Sequence, residues 1–122
     1  MKPILIVDDD PDIRDALEEL LTDRGFSVLS AVNGADALNL LRTLDAPPAI
    51  ILLDVMMPVL DGYGFLEERS KDPSLSRIPV AIITAGHGVD LGRLGGTVPV
   101  LYKPLRVPEL MLALRSVQQL TG

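Results

Sequence analysis

Residues 50–62 read Ile50-Ile51-Leu52-Leu53-Asp54-Val55-Met56-Met57-Pro58-Val59-Leu60-Asp61-Gly62, an apolar run that stops abruptly on a carboxylate. Branched side chains without polar alternation read as a strand buried on both faces, as in a parallel sheet covered by helices. Asp54 then stands at the carboxyl end of that strand. In open α/β sheets this edge is where ligands bind, because loops and helix N-termini converge there on a crevice. Pro58 and the Asp61-Gly62 pair break regular structure and turn the chain away. A strand-end aspartate taken alone is a helix cap as readily as a metal ligand or a nucleophile, so its role depends on what else reaches the same edge.

A second apolar run, Ile4 to Val7, also ends in acid, as Asp8-Asp9-Asp10. Pro11 and Asp12 open a helix in which Ile13, Ala16, Leu17, Leu20 and Leu21 recur at the spacing of one buried face, and Gly25 stops it. Phe26 to Ala31 reads as the second strand, and Ala35 to Leu44 as a helix with Leu38 and Leu41 inward. Pro47-Pro48 launches the central strand. After Gly62 a third helix carries Phe65 and Leu66 and closes near Lys71-Asp72-Pro73. Val80 to Ile83 makes a fourth strand ending in Thr84-Ala85, and Val98 to Tyr102 a fifth ending in Lys103-Pro104. The last helix starts near Pro108 and runs through Leu110, Leu114 and Val117, with Arg106 and Val107 where a better N-cap is preferred. Gly86, Gly88, Gly92, Gly95 and Gly96 crowd the segment where a fourth helix belongs. Each interior glycine costs about 1 kcal/mol against alanine, so that helix is expected to be short or irregular.

Five strands alternating with helical segments imply βαβ units, right-handed crossovers and a parallel sheet. The expected class is α/β, a flavodoxin-like doubly wound sheet with helices on both faces; the strand order 2-1-3-4-5 is carried over from known sheets of that type. With 122 residues, 48% of them hydrophobic, residues 1–122 are expected to form one domain. A formal charge of −6 disfavours direct nucleic-acid binding and anionic membrane surfaces, both of which need clustered Lys and Arg. There is no cysteine, hence no disulfide framework or thiolate metal site. The apolar stretch near the N-terminus is too short for a signal peptide, and no run reaches membrane-spanning length. A cytoplasmic location is expected.

Strands one, three, four and five thus end in Asp8-Asp9, Asp54, Thr84 and Lys103, all at one edge of the sheet. Two unit charges about 4 Å apart at an effective dielectric near 20 interact by about 4 kcal/mol, so clustered carboxylates call for a cation. Hard oxygen donors without His or Cys point to Mg²⁺, with Mn²⁺ or Ca²⁺ as substitutes. A divalent ion, a lysine and a hydroxyl around one carboxylate suit a phosphoryl group, with Asp54 as nucleophile forming an acyl phosphate.

Through I-L-I-V-D-D-D, L-L-D-V-M-M-P-V-L-D-G, I-I-T-A and Y-K-P the chain resembles, over essentially its whole length, the receiver domain of bacterial response regulators. The resemblance implies that Asp54 is the phosphoacceptor and that Asp8 and Asp9 are the acidic pair, Asp9 being the closer metal ligand. It further implies that the Met56 backbone carbonyl completes the metal shell, that Thr84 and the adjoining Ala85 follow the phosphoryl group, and that Lys103 is the family's lysine. The peptide before Pro104 is then cis. The donor would be a histidine kinase or a histidine phosphotransfer protein, the cofactor Mg²⁺, and the output a protein target. Such a chain is a switch that assists its own phosphorylation and dephosphorylation, not an enzyme acting on a separate substrate. Two features depart from the family. Val100 occupies the place three residues before the lysine where an aromatic is common, with Tyr102 not matching it, and the span from Thr84 to Lys103 is short.

These residues admit other readings. Asp10 and Asp12 read as helix-start residues and His87 as a solvated loop residue. Tyr63 and Phe65 read as packing, and Met56 and Met57 serve equally as core fillers. A phosphohydrolase of the haloacid-dehalogenase type would want a second aspartate where Met56 stands. A dinucleotide-binding domain would need a glycine-rich turn where Asp8-Asp9-Asp10 stands. A constitutive interaction module without phosphorylation is the third alternative, kept open by Val100.

Overall fold

Leucine and β-branched side chains with no polar interruption leave a strand no face for water, and both acid-terminated runs are interior strands. Ile4–Val7 (β1) and Ile50–Asp54 (β3) are buried throughout. In the computed structural model, which describes residues 2–85, 89–94 and 98–121, they pair in parallel from Ile4↔Ile50 to Val7↔Leu53. Val28–Ala31 (β2) lies on the far side of β1, and Val80–Thr84 (β4) and Val100–Tyr102 (β5) follow β3. Every pairing is parallel and the order is β2-β1-β3-β4-β5, as expected.

Among the described residues four helices cover the sheet: Pro11–Asp23 (α1), Gly34–Thr43 (α2), Gly62–Lys71 (α3) and Val107–Thr121 (α4). Strand alternation divides the core into two layers. Leu5, Val7, Ile51, Leu53 and Ile82 pack with Leu38 and Leu41 of α2 and Phe65 of α3. Ile4, Ile6, Leu52 and Ile83 pack with Leu17 and Leu21 of α1 and Leu110 and Leu114 of α4. Three helices start on side-chain caps: Asp10 accepts from the Asp12 N–H, Asn33 from the Asp36 N–H and Asp61 from the Gly64 N–H. A cap of this kind contributes about 1 kcal/mol. Asp10 and Asp12 thus act at the helix start, as read. Gly25, at φ +87°, ends α1 in a conformation that L side chains rarely adopt.

Three expectations need correction. Ala16 is exposed and not part of the buried face of α1. An open groove of about 570 Å³ runs between α1 and the loop after β5, lined by Ile13, Ala16, Leu20, Pro104 and Leu105, and the alanine methyl is too short to close it. Strand five begins at Val100 and not Val98, because Pro99 has no N–H; only its carbonyl joins the ladder, accepting from the Ile82 N–H at 2.8 Å. Strand two begins at Val28, although the Ser27 carbonyl already accepts from the Ile4 N–H. Between β4 and β5 the described residues contain a single 3₁₀ turn, Leu91–Leu94, where a short or irregular helix was expected. Gly86, His87, Gly88, Gly95 and Gly96 lie outside the described residues.

The link from β3 into α3 is tight. The Gly62 N–H donates to the Val55 carbonyl at 2.8 Å, and a Cβ at Gly62 would sit 2.7 Å from Val55 Cα and 2.9 Å from the Asp54 carbonyl oxygen. Both obstacles are backbone, so they cannot swing aside. Gly62→Ala is expected to lower the stability by about 2 kcal/mol or more in urea unfolding, by forcing β3 and α3 apart. An alanine variant as stable as wild type would show that this approach is not tight in solution.

Candidate functional site

The β1–β3 register builds the site. Val7 lies opposite Leu53, so the next residues, Asp8 and Asp54, leave neighbouring strands side by side, about 4.8 Å apart in the direction of pairing. By alternation both carboxylates emerge on the face that carries α1 and α4. Asp8 is 2% exposed and Asp54 6%. Asp9 is exposed and reaches the same place from the turn into α1. One carboxylate oxygen from each of Asp8, Asp9 and Asp54 can lie within 4.8 Å of the others.

Lys103 follows β5 and brings the compensating charge across the sheet. Its ammonium lies 3.2 Å from Asp8 Oδ2 and 3.7 Å from Asp54 Oδ1. Its N–H donates to the Thr84 carbonyl at 2.7 Å, which fixes the end of β5 to the end of β4. Thr84 is buried and Ala85 is exposed. The Lys103-Pro104 peptide is cis, as the resemblance implied. Of the sequence-derived candidates, Asp8, Asp9, Asp54 and Lys103 come together through their side chains. Thr84 is tied to them through the backbone of Lys103, and the Met56 backbone hydrogen-bonds the Asp54 carboxylate. The Met56 side chain is exposed, so the core-filler reading fails for it and holds for the buried Met57.

Burial pushes the Asp54 carboxyl up to about 6, and the neighbouring charge of Asp8 pushes the same way. Lys103 and the Met56 backbone hydrogen bond oppose this only in part. Three carboxylates thus face one ammonium, a set of hard oxygen donors with negative charge left over. Such a set fits Mg²⁺, which prefers a few carboxylates and keeps its remaining positions for water or phosphate oxygens.

Three features escaped sequence reasoning. Arg14 of α1 donates through Nη1 to the Asp8 carbonyl at 2.7 Å; its signal is its place on the second turn of α1, six residues past Asp8. Tyr63 is buried as expected, but its hydroxyl also accepts from the Asp90 N–H at 2.6 Å, and the Arg93 guanidinium lies 4.1 Å over its ring. No local pattern marks a contact across 27 residues. Val59, in the loop after Asp54, sits at φ +70° although it is β-branched and exposed. That conformation costs on the order of 1–3 kcal/mol. It is held by flanking bonds from the Gly34 N–H to the Leu60 carbonyl and from the Gly62 N–H to the Val55 carbonyl.

Comparison with known proteins gives a consistent picture. The response regulator receiver domain family matches residues 4–115. The "Probable transcriptional regulator ycf27" of Porphyra purpurea is 41% identical over 117 residues, covering 93% of this chain and 46% of that protein. The "Transcriptional regulatory protein CpxR homolog" of Haemophilus influenzae is 38% identical, covering 96% of this chain and 50% of that protein. The chain therefore spans about half the length of the curated relatives it matches. Among solved structures, the Francisella response regulator 1452 receiver domain superposes with a TM-score of 0.85 at 26% identity over the whole of both chains. The receiver domain of sensor histidine kinase PA1611 from Pseudomonas aeruginosa PAO1, with a magnesium ion coordinated in its active site cleft, gives 0.83 at 27% identity, covering 94% of this chain and 95% of that one.

The raised Asp54 value has a stability consequence. The folded value of about 6 lies above the ordinary 3.8, so the folded chain holds this proton more tightly than the unfolded chain. That contribution is complete below the unfolded value and is lost as pH rises through about 6. Asp54→Asn, which cannot ionise, is expected to exceed wild type by about 2 kcal/mol in metal-free buffer at pH 7.5 and to lose most of that lead near pH 4. Urea midpoints across this range check it, and a gap independent of pH counts against the assignment.

Proposed function

Since the chain belongs to the response regulator receiver domain family, we propose that it is a phosphoacceptor switch, in which Asp54 takes a phosphoryl group from a histidine kinase or a histidine phosphotransfer protein. The observation that carries this reading is the meeting of Asp8, Asp9 and Asp54 within 4.8 Å beside the Lys103 ammonium.

An Asp54 carboxylate oxygen attacks phosphorus, an O–P bond forms, the N–P bond of the phosphohistidine breaks, and its electron pair stays on the imidazole. Asp8, Asp9, Asp54 and the Met56 backbone carbonyl are the groups that would hold Mg²⁺, which supplies positive charge against the phosphoryl oxygens. Lys103 already lies against Asp8 and Asp54 and offsets charge on the transferring group. The Thr84 hydroxyl, with Ala85 beside it, follows the new oxygen and carries the β4–β5 connection with it. Hydrolysis of the acyl phosphate resets the switch, so the chain assists its own turnover without being an enzyme for another substrate.

The downstream target is a protein, in keeping with the net charge of −6, and this domain does not itself bind nucleic acid. The transcriptional regulators among the relatives support a role in controlling expression through a further module or partner. Among the described residues no helix is long and apolar enough to cross a membrane. A cytoplasmic location suits a cysteine-free chain of this kind.

Incubation with Mg²⁺ and a small phosphodonor, followed by intact mass, tests the chemistry. Wild type is expected to gain a phosphoryl adduct and Asp54→Asn to gain none; an adduct on both, or on neither, removes Asp54 from the role. A second reading, a constitutive interaction module, is favoured by one observation: the half-buried Val100 stands where receivers commonly place an aromatic, and Tyr102 is exposed. Amide exchange across residues 84–102 separates the two. Switching predicts a change in protection when a phosphoryl mimic is added, whereas the constitutive module predicts none.

A further inference from the structure

Every polar group of Asp8 is engaged. Its N–H donates to the Ala31 carbonyl at 3.2 Å. Its Oδ1 accepts from the Asp10 N–H at 3.0 Å, and its Oδ2 faces Lys103 at 3.2 Å. Its carbonyl accepts from Arg14 Nη1 at 2.7 Å. That last acceptor belongs to the peptide plane joining Asp8 to Asp9. Fixing the plane fixes the directions in which the two carboxylates leave the backbone, including that of the exposed Asp9.

Arg14 is itself well anchored. It sits half-buried on α1, and its N–H donates to the Asp10 carbonyl at 3.1 Å as part of the first helical turn. The guanidinium therefore reaches back from a helix whose start is capped by Asp10 and spans the turn that carries both acids. A turn closed in this way costs less to hold with like charges converging on it, because a charge-assisted bond is roughly twice as strong as a neutral one.

We propose that Arg14 is a positioning residue: by holding the Asp8–Asp9 peptide plane, it aims the two carboxylates at a divalent cation shared with Asp54. The inference rests on the phosphoacceptor reading and deepens it. Arg14 acts through Asp8 and Asp9 and touches neither the cation nor the phosphoryl group.

The sign of the effect separates positioning from plain electrostatics. A guanidinium beside a cation site repels the cation, so removing it purely as a charge tightens binding. Removing it as the brace of the turn weakens binding.

The test is Mn²⁺ affinity at pH 7.5, read from the electron paramagnetic resonance of free Mn²⁺, with urea midpoints measured in parallel. Arg14→Met, which keeps most of the stem and loses the donor, is expected to bind Mn²⁺ about tenfold more weakly, the size typical of losing an outer partner of a metal ligand. Arg14→Lys, which keeps a cationic donor, is expected to recover at least part of that loss. Arg24→Met serves as the control, since Arg24 makes a comparable side-chain bond to the Leu20 carbonyl at the other end of α1; its Mn²⁺ affinity should stay within about twofold of wild type. Equal or tighter binding by Arg14→Met overturns the inference while leaving the phosphoacceptor reading intact. A loss shared by Arg24→Met, or one that Arg14→Lys does not relieve at all, also overturns it. A wild type that binds no Mn²⁺ overturns both.

Discussion

Two carboxylates set side by side by strand register, with a third beside them, are the constraint on which the rest of this structure depends. Pairing Val7 with Leu53 leaves Asp8 and Asp54 no choice but to be neighbours, and a slip of one residue would send one of them to the opposite face of the sheet. Their mutual repulsion opposes the fold. It persists because the apolar residues that precede them are buried on both sides of the sheet. A buried branched aliphatic side chain contributes about 1.5–3 kcal/mol, so a handful outweighs the few kcal/mol of crowding at the strand ends.

The groups around the cluster divide their work by distance from it. Lys103 reduces the charge directly and, through its backbone, ties the Thr84 end of β4 to the same edge. Arg14 and the Asp10 N–H hold the turn behind the acids. On the other side, the strained Val59 and the close approach of Gly62 to Val55 show that the loop after Asp54 is pressed into a shape it would not adopt alone. Backbone strain of this kind is concentrated at active sites and ligand clamps.

The β4–β5 connection is held from α3. The described residues there form one 3₁₀ turn, and α3 holds that turn through Tyr63, which accepts from Asp90 and supports Arg93. Val89, Leu94 and Val98 close the contact on the apolar layer. Because Gly62 of α3 lies against the backbone of Asp54 and Val55, the segment after Thr84 is linked to the acidic site by α3 as well as by β4. Val100 carries no ring, and Tyr63 of α3 is the aromatic that meets this connection, through Asp90 and Arg93.

By itself the sequence determined the alternation of strands and helices, the burial of β1, β3 and β4, the helix-start role of Asp10, the chain break at Asp61-Gly62, and the gathering of Asp8, Asp9, Asp54 and Lys103 at one edge. Unbroken apolar runs, capping residues and acid-terminated strands are local signals, and a parallel sheet converts the last of these into a shared location. Tertiary structure alone decided the exposure of Ala16 and Met56, the late start of β5 after Pro99, the brace from Arg14 to Asp8 and the tether from Tyr63 to Asp90. Each of these depends on what lies opposite a residue in space: a groove left open, a donor missing from a ladder, a guanidinium that folds back from its helix onto the preceding turn, or a hydroxyl that finds an amide far along the chain. Periodicity tells which side of an element faces inward, and only the packed chain tells what it meets there.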